Sequence, residues 1–410
     1  MGVMVKAALV GTLSAVLLAF TGCSGGPDMG RMFSVVGEDE RASSLYGNYL
    51  AGRFAGATRD MSAAARFYAE ALDHDPDNTV ILERAFLLEL AAGQIDDAVE
   101  LAGRILETDE RNRLARLTLA LDAFKSGNFE KARADLDVSR DGPINTLIRN
   151  LVVAWTYAAE GDVNAAVAFL DQVSANTNLP ALYAINRAFL NDFGGRDQDA
   201  VADYVEALRL TEGRSIDVVL GYGSLLERLG RSNEAGRLYA DYLVATGDVV
   251  AIGPELERLD TDKLPERYID TPARGIANAI YDPATYLVRE RAIDLPIIYL
   301  QLSRYVDKGF AESSILLADL MELSEQWEAA IDIYDDVPED SIYYESAQIQ
   351  IAVNLDRLDR TGDAVARLKD IIADDPDNFD AYITLGDMLR IRDRFEESID
   401  VYDEALSLVE

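Results

Sequence analysis

"YAEALDHDPDN" (Tyr68–Asn78) and "LKDIIADDPDN" (Leu368–Asn378) are two copies of one pattern set 300 residues apart. Each is a helical run that breaks at an Asp-Pro-Asp-Asn turn. A ruler of 34 residues laid outward from the first copy runs from Ala64 through Ala98, Ala132, Ala166 and Ala200, with Ala235 one residue late. The same ruler through glycine meets Gly93, Gly127, Gly161, Gly195 and, one late, Gly230. Twelve residues before each alanine stands a small residue (Gly52, Ala120, Ala154, Ala188, Gly223), with Phe86 the exception. Four residues after most of them comes a large one: Tyr68, Leu136, Leu170, Tyr204, Tyr239. The ruler restarts at Pro296, Ala330, Ala364 and Ser398, flanked by Ala284, Ala318, Ala352 and Gly386 upstream and by Leu300, Tyr334, Leu368 and Tyr402 downstream.

The spacing predicts paired antiparallel helices. Small residues at a crossing let two backbones approach, and a larger one fills the groove beside them. A single pair cannot stand alone, because ordering its backbone costs more than its few apolar side chains return, so the pairs must stack into a solenoid. The pattern resembles the tetratricopeptide repeat (TPR) over about nine-tenths of the chain. The resemblance implies an all-α superhelical solenoid of about ten helix-turn-helix units in two blocks, residues 43–247 with about six and 275–410 with about four. Residues 248–274, with three prolines and no crossing pattern, read as an irregular connector. Pro283 predicts a kink or break in the first helix of the second block. The last unit ends with an apolar flank (Val401, Ala405, Leu408, Val409) and no polar capping helix, so the array is expected either to continue past residue 410 or to be covered by a partner.

The N-terminus has a different character. Met1–Lys6 carries one positive charge and Ala7–Phe20 is an apolar run of fourteen residues, the size of a signal-peptide core and short of a bilayer span. Phe20-Thr21-Gly22-Cys23 resembles the lipobox of bacterial lipoproteins, with Phe20 in place of the usual leucine. The resemblance implies that residues 1–22 are removed and that Cys23, the only cysteine, is lipidated; a thiolate has the nucleophilicity to form that thioether. Ser24 after it resembles the sorting signal for the outer membrane. Residues 23–42 read as a flexible tether of about 24 Å mean span.

Composition narrows the function. Lys and Arg total 38 against 73 Asp and Glu, a net charge of −35 that disfavours nucleic acid, while 49% hydrophobic residues argue for a folded body. One cysteine and one histidine exclude internal disulfides, a cysteine zinc site and a Ser-His-Asp set with spare parts. The acidic stretch Asp73–Glu83 resembles a calcium loop but has Asn78 at the glycine position and Arg84 at the twelfth, so it reads as an inter-repeat turn. No cofactor, metal, nucleic acid or small-molecule substrate is expected, and no catalytic residues.

In TPR proteins the first helix of each unit lines a concave face through its second, fifth, ninth and twelfth positions. In the first block these include Leu87, then Leu114, Leu117, Leu121 and Phe124, then Ile148, Leu151 and Trp155, then Leu182, Ile185 and Phe189. They predict an apolar groove for a partner peptide or helix. The competing arrangement buries this stripe as core, since Arg116, Asn150 and Arg187 stand where core side chains are usual. In the second block the positions include Glu312, Asp319, Glu322, Asp356, Asp380 and Asp387, an acidic groove suited to a basic segment or simply a solvated face. The expectation is a non-catalytic protein-interaction scaffold for envelope assembly, lipid-anchored at the periplasmic face of the outer membrane. The alternative is an accessory subunit of a cell-wall enzyme or polysaccharide-export machine with glycan contact.

Overall fold

The computed structural model describes residues 44–408, apart from 176, 177 and 262. The expected signal peptide and tether, with Cys23, lie outside the described residues, as does Val409. Every regular element among the described residues is a helix. The first block is six hairpins: α1 (Leu45–Ala57) with α2 (Met61–His74), α3 (Thr79–Ala92) with α4 (Ile95–Thr108), α5 (Arg113–Lys125) with α6 (Phe129–Asp137), α7 (Pro143–Ala159) with α8 (Val163–Ser174), α9 (Pro180–Phe193) with α10 (Asp197–Leu210), and α11 (Ile216–Arg228) with α12 (Ser232–Thr246). After α13 (Val249–Leu259) come four more: α14 (Pro272–Arg289) with α15 (Asp294–Val306), α16 (Ala311–Leu323) with α17 (Trp327–Asp335), α18 (Tyr344–Arg357) with α19 (Thr361–Asp374), and α20 (Phe379–Ile391) with α21 (Phe395–Ser407). This is an all-α TPR superhelix.

The local chemistry explains the ruler. The glycines Gly93, Gly127, Gly161, Gly195 and Gly230 all sit in the turn inside a hairpin with φ between 68° and 86°. In the other five hairpins the equivalent residue is Arg59, Arg291, Glu325, Asp359 or Asp393, also left-handed at φ 57–62°. The turn demands this conformation whether or not a glycine supplies it. The Asp-Pro-Asp-Asn turns hand over to the next unit through their asparagines: Asn78 Oδ1 accepts from the Ile81 amide and Asn378 Oδ1 from the Ala381 amide, capping α3 and α20. The stretch that resembled a calcium loop is therefore a capped turn.

The small residues are crossings. A methyl group on Gly52 would lie 2.6 Å from the Tyr68 ring, one on Gly223 2.2 Å from Tyr239, and one on Gly386 2.5 Å from Tyr402. Where the partner is leucine, alanine suffices, as at Ala120 with Leu136 and Ala154 with Leu170, all buried. Phe86 inverts the arrangement: it is buried, and four residues after Ala98 stands not a large residue but the buried Ala102, so the large and small sides have traded places.

The structure corrects one expectation and narrows another, the kink or break at Pro283, by excluding the break. The connector contains a helix, α13, capped by Asp248, whose Oδ1 accepts from the Ala251 amide; Ala251 and Ile252 are buried and α13 packs on α12. Helix α14 also runs through Pro283 as one element, with Pro283 itself buried.

Candidate functional site

The two blocks are not strung out along an open spiral. Helices α14 and α15 of the second block lie in the concave face of the first, α14 against α7 and α9, and α15 against α3 and α5. Gly275 of α14 is seated on the Trp155 indole so closely that an added methyl would be 2.3 Å from the ring. Polar contacts continue the seam along the groove. Gln301 Nε2 donates to the Ala91 carbonyl at 3.3 Å, Lys125 Nζ to the Tyr305 carbonyl at 2.7 Å, and Tyr305 Oη to Asp122 at 3.2 Å. At one end Arg59 donates to Ser324 Oγ and Gln326 to the Thr58 carbonyl. At the other Arg267 of the connector donates to the Asp192 carbonyl, and Tyr268 packs on Phe189 with ring centroids 5.5 Å apart.

The apolar stripe of the first block is consequently not open. Leu117, Leu121, Phe124, Ile148, Leu151, Trp155, Ile185 and Phe189 are buried, and Leu87, Leu114 and Leu182 are partly buried. The expected partner groove is corrected to a groove that the chain fills with its own helices. A locally rotated helix is not the reason. Arg116, Asn150 and Arg187 make polar bridges instead: Arg116 to Asp135 at 2.7 Å, Asn150 to Tyr183 Oη at 2.9 Å, and Arg187 to Asp171 and Asp203. Trp155 donates its indole N–H to Asn186 Oδ1 at 3.0 Å.

The acidic positions of the second block differ in what they touch. Glu322 and Asp356, both twelfth positions of their first helices, take donors from the following unit, Glu322 from Asn354 at 2.8 Å and Asp356 from Arg392 at 3.1 Å. Asp192 and Glu227 play the same part in the first block with Arg228 and Arg258, each at 2.7 Å. These carboxylates tie neighbouring units, a role that position in the repeat alone did not distinguish from groove lining. Asp319 accepts from Tyr334 Oη, and Asp387 from Arg390 and Tyr402 Oη. Asp319 and Asp380 are exposed beside the partly buried Ile315, Val353 and Ile383. Glu312 belongs elsewhere. It lines a cavity between the blocks.

That cavity, of about 890 Å³, is walled by the starts of α7, α9 and α11 on one side and by Tyr268, α14, the start of α16 and Tyr343 on the other. Leu147, Leu182, Ile185 and Leu220 form an apolar wall, and Tyr183, Tyr268, Tyr281 and Tyr343 contribute rings. Three carboxyls face it, Asp217, Asp282 and Glu312. All three residues are half-buried, and burial dominates their titration. Burial, then the neighbouring Asp217, pushes Asp282 well above the usual carboxylate range. Burial raises Asp217 as well, against the Tyr268 hydroxyl that donates to it at 2.6 Å. Burial pushes Glu312 up to about 7, its own backbone N–H and Arg274 opposing and Asp217 and Asp307 adding. The lining guanidiniums, Arg214 and Arg289, are on exposed residues. No motif in the sequence marks Asp217, Asp282 or Tyr281. The available signal was that "GIANAI" (Gly275–Ile280) and "PIIYLQL" (Pro296–Leu302) have no exposed side in the fold and little polar side in the sequence, which marks helices packed all round.

Among the described residues no group of His, Cys, Asp and Glu is placed to hold a metal ion, and no helix is long and apolar enough to cross a membrane. The tetratricopeptide repeat model TPR_16 matches residues 84–143 and 349–409. No curated protein matches the chain. Among solved structures, the chain is similar to one in the structure of Naa15/Naa10 bound to HypK-THB, at 17% identity and a TM-score of 0.37, over 89% of this chain and 53% of that one. The chain thus spans about half the length of that relative. It is also similar to yeast Tom70 (14% identity, TM-score 0.28, 89% of this chain and 92% of that one). A tetratricopeptide repeat protein from Parabacteroides merdae matches at 14% identity and a TM-score of 0.28, over 65% of this chain and 93% of that one. The repeat fold is that of protein-interaction scaffolds, and no catalytic family is indicated.

Proposed function

We propose that the protein is a non-catalytic interaction scaffold for envelope assembly, acylated at Cys23 and held at the periplasmic face of the outer membrane, which presents the concave face of its second block to a partner. The observation that carries this reading is the filled groove of the first block. With α14 and α15 seated there, the apolar stripe serves to hold the two blocks together. The inner side of α16, α18 and α20 offers partly buried Ile315, Val353 and Ile383 bordered by exposed Asp319 and Asp380. A basic amphipathic segment complements such a surface in both charge and apolar content. The lipobox-like Phe20-Thr21-Gly22-Cys23 and the net charge of −35 support a soluble body on a lipid tether.

The test is site-specific photocrosslinking in native envelopes with a probe at Ile383 or at Ile148. Adducts to another protein from Ile383, weakened by added salt and by Asp319→Lys, are expected, with none from Ile148. Adducts from Ile148 alone would move the partner back to the first groove. Radiolabelled palmitate incorporated by the wild type and lost in Cys23→Ser tests the anchor separately.

A further inference from the structure

One wall of the inter-block cavity is acidic. Asp217 and Asp282 both line it, close enough for each carboxyl to bear on the other. Asp217 accepts from Tyr268 Oη at 2.6 Å. Asp282 Oδ2 is buried and receives no N–H or hydroxyl donor, and the Asp282 carboxyl lies against that of Asp217 instead. A buried polar atom left without such a donor costs about 1–3 kcal/mol. The two carboxyls oppose each other where tyrosine rings surround an open volume.

We propose that this cavity is a binding site for a small organic cation, a primary or secondary ammonium group carried on an apolar body. The carboxyls of Asp217 and Asp282 line the cavity and accept N–H donors, which a protonated amine has and a quaternary ammonium lacks. A cation also relieves the repulsion between two buried carboxylates, by replacing the proton that otherwise keeps the pair from a double charge. Ring faces attract cations, and Tyr268 and Tyr281 stand beside the carboxyls. Leu147, Leu182, Ile185 and Leu220 supply the surface for the apolar body. A volume of about 890 Å³ lies in the range of small-molecule sites. An anion is disfavoured, because the carboxyls are inside and both lining arginines are on exposed residues. This site is separate from the groove of the second block.

Isothermal titration of the full chain with phenethylammonium, and with its neutral isostere 2-phenylethanol, tests the assignment. Saturable binding of the amine is expected, at least roughly tenfold tighter than the alcohol, with proton release on binding. The double variant Asp217→Asn, Asp282→Asn keeps the shape of the wall and the acceptor for Tyr268, and it is expected to retain helicity while losing the preference for the amine. Leu220→Trp, which fills the cavity from its apolar wall and leaves the carboxyls in place, is expected to abolish binding of both compounds. No binding of the amine at about 10 mM, equal binding of the alcohol, or a preference that survives in the asparagine variant overturns the proposal. Binding of a lysine-rich peptide alone, with the amine silent, overturns it too.

Discussion

Substituting Gly275 with alanine puts the seating of the second block in the first to a quantitative test. In an isolated helix the change would help, since alanine is favoured over glycine in a helix by about 1 kcal/mol. In the structure the new methyl would lie 2.3, 2.4 and 2.5 Å from three atoms of the Trp155 indole, about 1.2 Å inside the closest ordinary carbon contact. The indole has nowhere to retreat. It is fully buried, its N–H is bonded to Asn186, and Phe193 packs edge-on to it at 6.0 Å. Helix α14 must therefore lift, and overpacking of this kind costs about 1–3 kcal/mol. With the propensity gain set against it, Gly275→Ala is expected to lower stability by up to about 2 kcal/mol. Urea denaturation followed by circular dichroism measures the loss. In a Trp327→Phe background the remaining tryptophan fluorescence reports Trp155 alone and should shift toward the red. Placing Gly275→Ala in a Trp155→Phe background should shrink its cost, since the smaller ring makes room, and the two changes should be coupled by about 1 kcal/mol or more. A more stable Gly275→Ala protein with unshifted emission would refute the packing of α14 on Trp155 and, with it, the filled groove.

Trp155→Glu places a charge where no water reaches, so it is expected to abolish cooperative unfolding rather than merely remove a partner, as seen in a denaturation curve. Asp359→Gly and Glu325→Gly are expected to raise stability by about 0.5–1 kcal/mol each, because both residues are held left-handed at φ 57° and 59°; an unchanged midpoint would argue against strain there. Arg228→Ala strands Asp192, whose side chain is 3% exposed, and is expected to cost about 2–4 kcal/mol in the same assay, tempered by Arg267 at 3.5 Å. Glu312 is held at about 7 in the fold against an ordinary 4.5, so the folded state binds more protons between those values; its contribution to stability is full below about 4.5 and is lost as the pH rises to about 7. Comparison of denaturation midpoints near pH 5 and pH 7.5 should show a smaller decline in Glu312→Gln, by a difference on the order of 2 kcal/mol.

The hairpins were legible because their cause is local. The methyl-sized gap at Gly52 is opposite Tyr68 only sixteen residues on, and the left-handed turn at Gly93 is part of the same kind of hairpin, so a periodic pattern reports both. The connector was harder to read. Three prolines suggested irregular chain, whereas Asp248 caps a short helix that Ala251 and Ile252 pin to α12. Pro283 suggested a kink or a break, and the break is excluded by a helix that runs on through it. The cavity left no trace in any motif, since Asp217 and Asp282 are 65 residues apart and meet only when the blocks close.

By itself the sequence determined that this chain is a stack of about ten helical hairpins, because each hairpin's crossing and turn are settled within 34 residues. What the concave stripe faces was decided only by the tertiary structure. Leu121, Trp155 and Phe189 look the same in sequence whether a foreign helix or α14 covers them. The choice rests on the curvature that accumulates over six hairpins and on the fit of one glycine against one indole, and neither quantity has a period to read.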